Sequence, residues 1–162
     1  MTANDILIRD ATPADAEIIQ SMIAGLAKDV SGPDQVLTVE DVKRYGFGAD
    51  PDFFTLIAEI DGSAAGLALY FNEFSTWRGR RGVYLQDLYV MPDARGRGVG
   101  EELIRQLAIE AKSNGAVYLR LAVDAENEDA ARFYERLGFT EADRDRIFIL
   151  KDKAFQDCAA SE

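Results

Sequence analysis

The first part of the chain combines one short apolar run with an amphipathic segment. The run "ILIRD" predicts a strand. Thr12 then occupies the position of a helix N-cap, with Pro13 at the first helical position and Asp15 three residues after the cap. These signals predict a strand followed by a helix, whose apolar face carries Ile19, Met22, Ile23 and Leu26.

The next segments predict a short helix and then a β-hairpin. In "LTVEDVKRYGFG", Thr38 and Asp41 form a capping-box pattern, and Gly46 marks the end of the helix. In "FFTLIAEIDGSAAGLALYFN", two β-rich runs flank the dipeptide Asp61-Gly62, which suits the positive φ values of a tight hairpin. Two neighbouring antiparallel strands are therefore expected here.

The second half of the chain alternates strands with helices. The pattern predicts a strand over 83–91, a helix over 99–114, a strand over 117–123, a helix over 127–137 and a last strand, "RIFILK", over 146–151. The unit from 83 to 123 has the order of a right-handed βαβ crossover. Together with the hairpin, these elements predict an α/β fold in which a mixed sheet lies between helices.

Length and composition favour one compact domain. The chain has 162 residues, of which 48% are hydrophobic, and neither a linker nor a repeat interrupts it. We therefore expect a single domain over 1–162, with a flexible tail from about residue 152. The N-terminus lacks the pattern of a signal peptide and no apolar run is long enough to cross a bilayer, so a cytoplasmic protein without membrane contact is expected.

Charge and the absence of one residue type exclude several classes of function. The formal net charge of -11 argues against a nucleic-acid partner, which requires a basic surface, and only weakly favours cationic ligands. The chain contains no histidine, and its one cysteine, Cys158, lies in a polar tail. These features exclude imidazole-dependent triads and a thiolate metal site, so no metal is expected and catalysis must use other groups.

A glycine-rich loop separates the strand over 83–91 from the helix over 99–114. Gly96, Gly98 and Gly100 alternate with Arg97 after Arg95, directly before the apolar stripe of the helix. A helix N-terminus with bare backbone and unpaired amides binds a pyrophosphate, and the two arginines add positive charge. The motif does not match the loops of nucleoside triphosphatases or dinucleotide-binding proteins, and a simple surface turn is the alternative.

A second motif follows the next predicted strand, with Asn127 at the helix start and Phe133, Tyr134 and Gly138-Phe139 at fixed steps after it. Together with the glycine loop, this spacing resembles the GNAT superfamily of acetyl-CoA-dependent N-acetyltransferases. From residue 6 to about 150 the chain is most similar to the branch that acetylates spermidine, spermine and thialysine. The resemblance implies the GNAT fold, a mixed, mostly antiparallel sheet flanked by helices on both faces, with a βαβ core that binds acetyl-CoA.

The resemblance also implies the chemistry. Backbone groups of a strand that opens at a bulge pair with the pantetheine arm and polarise the thioester, and the amine attacks directly. Tyr134 has the family's position for the acid that protonates the departing thiolate; its alternative is a core aromatic beside Phe133. The implied cofactor-binding residues are Leu88, Tyr89, Val90, Arg95, Gly96, Arg97, Gly98, Val99, Gly100, Asn127, Ala131 and Tyr134.

The chain departs from the family at the catalytic base. Relatives of this branch carry a glutamate where this chain has Gln86, and an amide cannot accept a proton. Gln86 is therefore expected to orient the amine or a water, and the rate to follow the neutral fraction of the amine. Asp87 matches the family's next carboxylate and is expected to bind substrate. Alternation places it on the opposite face from Gln86, so it can replace the missing glutamate only if the strand bulges.

The acceptor amine is less well defined. Trp77 matches a substrate-pocket position of the branch, although a loop aromatic that covers the sheet edge is an equal alternative. Asp29 and Asp34 partly reproduce the acidic lining of the amine site. A diamine, a polyamine or an amino-acid-like amine is the leading expectation, with a peptide or antibiotic amine as the alternative. A non-catalytic acyl-CoA-binding module is the rival from another class, and the resemblance also implies a homodimer.

Overall fold

The computed structural model of the chain describes residues 5–160. Its strands are β1 (Ile6–Asp10), β2 (Phe54–Ile60), β3 (Ser63–Ser75), β4 (Arg80–Val90) and β5 (Ala116–Arg120). Its helices are α1 (Ala16–Asp29), α2 (Val39–Gly46), α3 (Val99–Ser113), α4 (Glu128–Arg136) and α5 (Asp152–Ala159), with two short 3-10 turns at Pro13–Asp15 and Pro92–Ala94. The chain divides into two compact units after Ala122. The sheet and α1 to α3 belong to the first unit, and α4 and α5 belong to the second.

The sheet of the first unit follows the order of the chain, β1-β2-β3-β4-β5. Neighbours from β1 to β4 are antiparallel, whereas β5 runs parallel to β4 and α3 makes the crossover between them. The predicted mixed, mostly antiparallel sheet is therefore confirmed. The predicted hairpin between β2 and β3 is confirmed as well, since Asp61 and Gly62 have φ values of 52° and 77°.

Helices cover both faces of this sheet. On one face, α1 and α2 bury an apolar cluster against β2, β3 and β4, while α3 packs on the other face through Leu103 and Leu107. Apolar burial of this kind contributes roughly 25 cal/mol for each Å² removed from water. The cluster between α1, α2 and the sheet contains Ile19, Met22, Ile23, Val42, Ile57, Leu67, Leu69 and Tyr89.

Thr38 caps α2 as predicted, whereas Thr12 caps the 3-10 turn that leads into α1, and Asp15 is the N-cap of α1 itself. The Thr12 amide donates to Asp15 Oδ2 at 2.7 Å, and the Thr38 amide donates to Asp41 Oδ2 at 2.9 Å. Thr38 Oγ1 accepts in return from the Asp41 amide at 3.1 Å. These caps satisfy helix amides that have no partner within the helix, which fixes where the chain turns from strand or loop into helix.

The last predicted strand is wrong. Residues 146–151 form no strand, and Ile147, Phe148, Ile149 and Leu150 are 56–83% exposed. A β-rich run forms a strand only beside a neighbour that supplies hydrogen bonds, and the sheet of the described residues ends at β5. The strand predicted over 117–123 also ends earlier, at Arg120. Between residues 5 and 160, no helix has the length and apolar character needed to cross a membrane.

Candidate active site

Strand β4 changes register in its middle. Leu85 pairs with Tyr70 and Asp87 pairs with Leu69, so Gln86 is an extra residue without a partner on β3. This is a β-bulge, which disrupts the ladder locally and turns the following residues. Asp87 changes face only if β4 bulges before it, and the structure contains the bulge at that position.

The same strand also loses its neighbour on the other side. Pairing between β4 and β5 includes Arg81, Val83 and Tyr84, and it stops where Tyr84 meets Arg120, the last residue of β5. From Gln86 onward, β3 is therefore the one strand of the described residues that pairs with β4. On alternate residues of this segment, such as Leu88, the backbone groups point away from β3, where no strand of the described residues pairs with them, and an extended ligand can add there as a further strand.

The glycine loop follows directly after this open segment. Gly96 and Gly98 have φ values of 77° and 83°, and a Cβ built on either glycine would meet no heavy atom within 4 Å. These two positions therefore require glycine because of their positive φ values and not because of a crowded neighbour. The space where a Cβ would lie is free of protein atoms. Gly98 is the N-cap of α3, and in the described residues the amides of Val99, Gly100 and Glu101 donate to no protein acceptor. The loop can thus receive an anion at the helix N-terminus.

The charged residues of the loop divide into two groups. Arg95 bends back: its Nε donates to the Val90 carbonyl at 3.0 Å, its guanidinium pairs with Asp29 at 2.8 Å, and it lies 5.6 Å from the centre of the Tyr89 ring. Arg97 is exposed. Glu102 forms an ion pair with Arg105 along α3, which directs this carboxylate down the helix. Arg97 is therefore the loop arginine whose charge is available beside the open amides.

Asp87 is a half-buried carboxylate with no hydrogen bond or ion pair to another described residue. Burial raises its pKa to about 6, because loss of hydration disfavours the charged form. Gln86, by contrast, is exposed at the bulge. The ionisable side chain at the open part of β4 therefore belongs to Asp87.

Two predicted substrate contacts lie away from the bulge. Trp77 is fully exposed in the turn between β3 and β4, and seven or more residues of strand separate it from Gln86, a distance of about 20 Å. Asp34 is exposed in the connection between α1 and α2. Asp29 is closer to the loop but is engaged by Arg95. The structure therefore does not bring Trp77 together with the open segment of β4 in one chain.

The second unit carries the other predicted residues. Asn127 caps α4, with Oδ1 accepting from the Ala130 amide at 3.1 Å. Tyr134 is half-buried, with its ring 5.1 Å from that of Phe133 and 5.4 Å from that of Phe139, both edge-on. Burial raises the pKa of Tyr134 to about 12, which keeps the phenol protonated and able to donate. Ala131 is also half-buried on α4.

Sequence reasoning missed one contact that shapes this region. Gly25 of α1 lies against the side chain of Tyr89, and a Cβ at residue 25 would lie 2.7 Å from the Tyr89 hydroxyl. An isolated glycine inside a predicted helix signals a close approach of this kind, but its partner cannot be named from sequence. Among residues 5–160, no group of three or more side chains could hold a metal ion.

Comparisons with known proteins found a family model, sequence relatives and structures of the same fold. A family model described as "Acetyltransferase (GNAT) family" matches residues 20–139. Thialysine N-epsilon-acetyltransferase of Sus scrofa is 38% identical over 95% of this chain and 97% of its own length. Among solved structures, an integron cassette protein from V. cholerae superposes with a TM-score of 0.82 at 21% identity, covering 96% of this chain and 98% of its own. An aminoglycoside N-acetyltransferase in complex with CoA gives a TM-score of 0.73 at 22% identity, covering 91% and 95%.

Proposed function

Since the chain belongs to the acetyltransferase (GNAT) family and is an N-acetyltransferase, we propose that it transfers the acetyl group of acetyl-CoA to a primary amine of a small molecule. One observation carries this proposal: the bulged, half-paired end of β4 leads directly into a loop with open amides at a helix N-terminus. An extended thioester arm and an anionic head group need these two features side by side.

Acetyl-CoA supplies the thioester, and the chain holds it through backbone. The amides of Gly96 to Gly100, with the charge of Arg97, suit the pyrophosphate. The segment Leu88, Tyr89 and Val90 is proposed to hold the pantetheine arm, and an amide of this segment that points away from β3 can donate to the thioester oxygen as negative charge develops there. In this proposal Arg95 acts by fixing the loop, since its guanidinium is occupied by Asp29 and the Val90 carbonyl. Val99, Asn127 and Ala131 complete the proposed cofactor-binding set.

Direct attack by the amine fits the side chains of this protein. The sequence has no histidine to activate a nucleophile, and Cys158 is exposed on α5 of the second unit. Tyr134 is proposed as the acid that protonates the thiolate, a role supported by its protonated phenol. Gln86 is proposed to orient the amine or a water through its amide. No metal takes part in this proposal.

The acceptor is proposed to be a diamine, a polyamine or an amino-acid-like amine. The similarity to a thialysine acetyltransferase over almost the whole chain supports this class. Asp87 is proposed to contact the amine, because it is the carboxylate nearest the opening of β4 along the strand. Trp77 remains a proposed substrate contact only for a molecule long enough to reach the β3–β4 turn.

Both units are proposed to act as one N-acetyltransferase domain, because the family model spans the division after Ala122. A homodimer is also proposed. Its support is apolar surface that a second copy can cover: the exposed run Ile147–Leu150, and Val117, which is 59% exposed on the last strand of the sheet. Sedimentation at micromolar concentration should show a dimer, and Phe148→Glu should shift the protein to monomer, whereas Phe155→Glu on α5 should not. The expected cytoplasmic location stays a prediction.

A panel of amines tests the function. Purified protein with acetyl-CoA should release free thiol with diamines or lysine-like amines, measured by a thiol-reactive dye and confirmed by mass spectrometry of the product. A preference for peptides or amine-bearing antibiotics would replace the proposed acceptor class. Binding of coenzyme A by calorimetry, without turnover of any amine, would instead establish a non-catalytic acyl-CoA-binding module.

A further inference from the structure

The bulge gives Asp87 the position across from β3 that a regular strand would give to Gln86. Without an extra residue, the sequence from Leu85 would place Gln86 opposite Leu69, and Asp87 one step further on. Because Gln86 is extra, Asp87 itself lies opposite Leu69. Directly opposite residues of two antiparallel strands direct their side chains to the same face of the sheet. Asp87 therefore shares the face of Leu69, the face that α1 and α2 cover.

No charged neighbour compensates Asp87 on this face. Its pKa is displaced by burial alone, without a contribution from any cation or anion. The other charged and titratable groups on this face and on the elements that pack against it are paired, exposed or phenolic. They are the ion pairs Glu73–Arg120, Arg95–Asp29 and Arg9 with Asp15 and Glu59, the phenols of Tyr45, Tyr84 and Tyr89, the capping carboxylate Asp41, and the exposed Glu17, Lys28, Glu40, Lys43 and Arg44.

Asp87 thus differs from a structural carboxylate. Asp15, for comparison, accepts from Arg9 and from the Thr12 amide, and these hydrogen bonds lower its pKa. A carboxylate held in this way is a poor proton acceptor, because its charged form is already stabilised. Asp87 has no such partner, is ionised above about pH 6, and gains a partner only when a cationic or proton-bearing group enters. A base with a pKa near the working pH is the most effective kind.

We infer that Asp87 is the catalytic base of the acetyl transfer, an inference that rests on the function proposed above and assigns the proton step that Gln86 cannot perform. The carboxylate takes one proton from the substrate ammonium. The freed nitrogen lone pair then forms the N–C bond with the acetyl carbon. As the C–S bond breaks, its electron pair leaves on sulfur, and the thiolate takes a proton from Tyr134. After the attack the nitrogen carries a positive charge and loses its second proton, which replaces the one that the proposed acid Tyr134 gave to sulfur. The products are the acetamide and free thiol, and the proton on Asp87 passes to solvent.

The pH dependence of kcat/KM separates this mechanism from one without a base. An alkyl amine of pKa near 10 is about one part in a thousand neutral at pH 7. If the enzyme uses only that fraction, log kcat/KM rises with a slope of one between pH 7 and 9. If Asp87 deprotonates bound ammonium, the slope over this range is near zero, and the rate falls only below about pH 6.

The experiment compares wild type, Asp87→Asn and the control Asp61→Asn, an equal chemical change in the distant β2–β3 turn. The wild type and the control should show a slope near zero with an alkyl diamine. Asp87→Asn should show a slope near one and a loss of roughly a hundred- to a thousandfold at pH 7. With an arylamine, which is already neutral, the loss should be under about tenfold. Coenzyme A affinity, measured by calorimetry, should be equal in all three proteins.

Three outcomes would overturn the inference, and they separate it from the proposed function. A wild-type slope of one, with turnover intact, would remove Asp87 as base but leave the N-acetyltransferase. An equal loss for both classes of amine in Asp87→Asn, with the slope unchanged, would make Asp87 a structural residue. No turnover with any amine, while coenzyme A still binds, would overturn the proposed function and the base together.

Discussion

The two halves of β4 differ in almost every property that a strand can have. The covered half, Arg81 to Tyr84, is paired with both β3 and β5 and buries Val83. In it Tyr84 stacks on Phe71 with ring centres 5.0 Å apart and lies 4.7 Å from the Arg120 guanidinium. From Gln86 to Val90 the strand is paired on one side only, begins with a bulge and contains a carboxylate without a partner.

The difference shows how one strand provides both support and chemistry. The covered half has its hydrogen bonds and aromatic contacts satisfied by the protein, so it holds the strand in place. The open half leaves backbone groups and a charge to be satisfied by ligands. Such a division is costly for an isolated protein, and it is typical of a site that gains its missing partners on binding.

The largest effect is expected on coenzyme A affinity, from a glycine substitution in the loop after β4 compared with one in the turn before it. Gly98→Asp, beyond the open end, should weaken coenzyme A binding by at least about a hundredfold, because it adds a side chain and a negative charge at the proposed pyrophosphate site. Gly79→Asp, in the turn before the covered end, introduces the same strain at a φ of 61° with the same open space. It should change the affinity less than threefold by calorimetry. Equal effects would mean that strain, and not ligand contact, explains the loss.

The proposed acid provides the second test. Tyr134→Phe should lower turnover by roughly ten- to a thousandfold with coenzyme A affinity nearly unchanged, because an acid acts mainly in the transition state. Tyr84→Phe removes a hydroxyl from the covered half of β4 and should leave turnover within about threefold. Stopped-flow measurement of thiol release, with chemistry shown to be rate-limiting, makes the comparison. Unchanged turnover in Tyr134→Phe would mean that Tyr134 contributes packing and not the acid.

An unpaired and an ion-paired carboxylate, Asp87 and Asp15, should respond oppositely to pH in unfolding experiments. Because the pKa of Asp87 is raised on folding, from 3.8 to about 6, its neutral form stabilises the fold at low pH, and that stabilisation is lost as pH rises through 6. Asp87→Asn should therefore raise the free energy of unfolding at pH 8 by about 1–2 kcal/mol, allowing for partial exposure, and leave it nearly unchanged at pH 4.

Asp15 provides the opposite sign. The pKa of Asp15 is lowered on folding by Arg9, so its contribution is present at neutral pH and is lost as pH falls through the lowered value. Asp15→Asn should destabilise the protein at pH 7, and the effect should shrink below pH 4. Urea denaturation at pH 4 and 8 measures both variants. A neutral-pH destabilisation by Asp87→Asn would contradict the assignment of Asp87 as an unpaired buried carboxylate.

The smallest effect is expected at the bulge residue. Gln86→Ala should reduce kcat/KM by no more than about fivefold, since the side chain is exposed and supplies at most a hydrogen bond. Steady-state kinetics with the same diamine measures it beside Asp87→Asn. A loss at Gln86 as large as the loss at Asp87 would transfer the main role in the proton step to the glutamine and its water.

Sequence predicted most of the fold because its signals are local. The caps at Thr12 and Thr38, the Asp61-Gly62 turn and the alternating runs each depend on neighbours within a few residues. The strand over 146–151 was predicted wrongly for the same reason: its residues favour a strand, but a strand also requires a partner, and that is not a local property.

The sequence predicted the glycine loop at the start of α3 but not the register in which β4 pairs with β3. Glycines before an apolar stripe indicate a helix N-terminus, and Gly98 has the expected position and conformation. From the sequence, a bulge near Gln86 is expected to move Asp87 to the other face of the sheet. The position of the extra residue could not be predicted, because register depends on packing along the whole β3–β4 pair. The engagement of Arg95 by Asp29, 66 positions apart, has no local signal either.

The single extra residue in β4 makes the chemistry of this site depend on an insertion and not on an amino-acid type. Every residue after Gln86 faces the side of the sheet that its predecessor would otherwise face. A bulge moved one position along the strand would put Gln86 opposite Leu69 and make Asp87 the extra residue, without any change in composition. Position-by-position comparison of such strands can therefore pair residues that point in opposite directions. Deleting Gln86 would be a change of a different kind. It would remove the bulge and its break in the ladder but leave Asp87 opposite Leu69. The hydrogen bonding of the strand and the face that Asp87 occupies could then be altered separately.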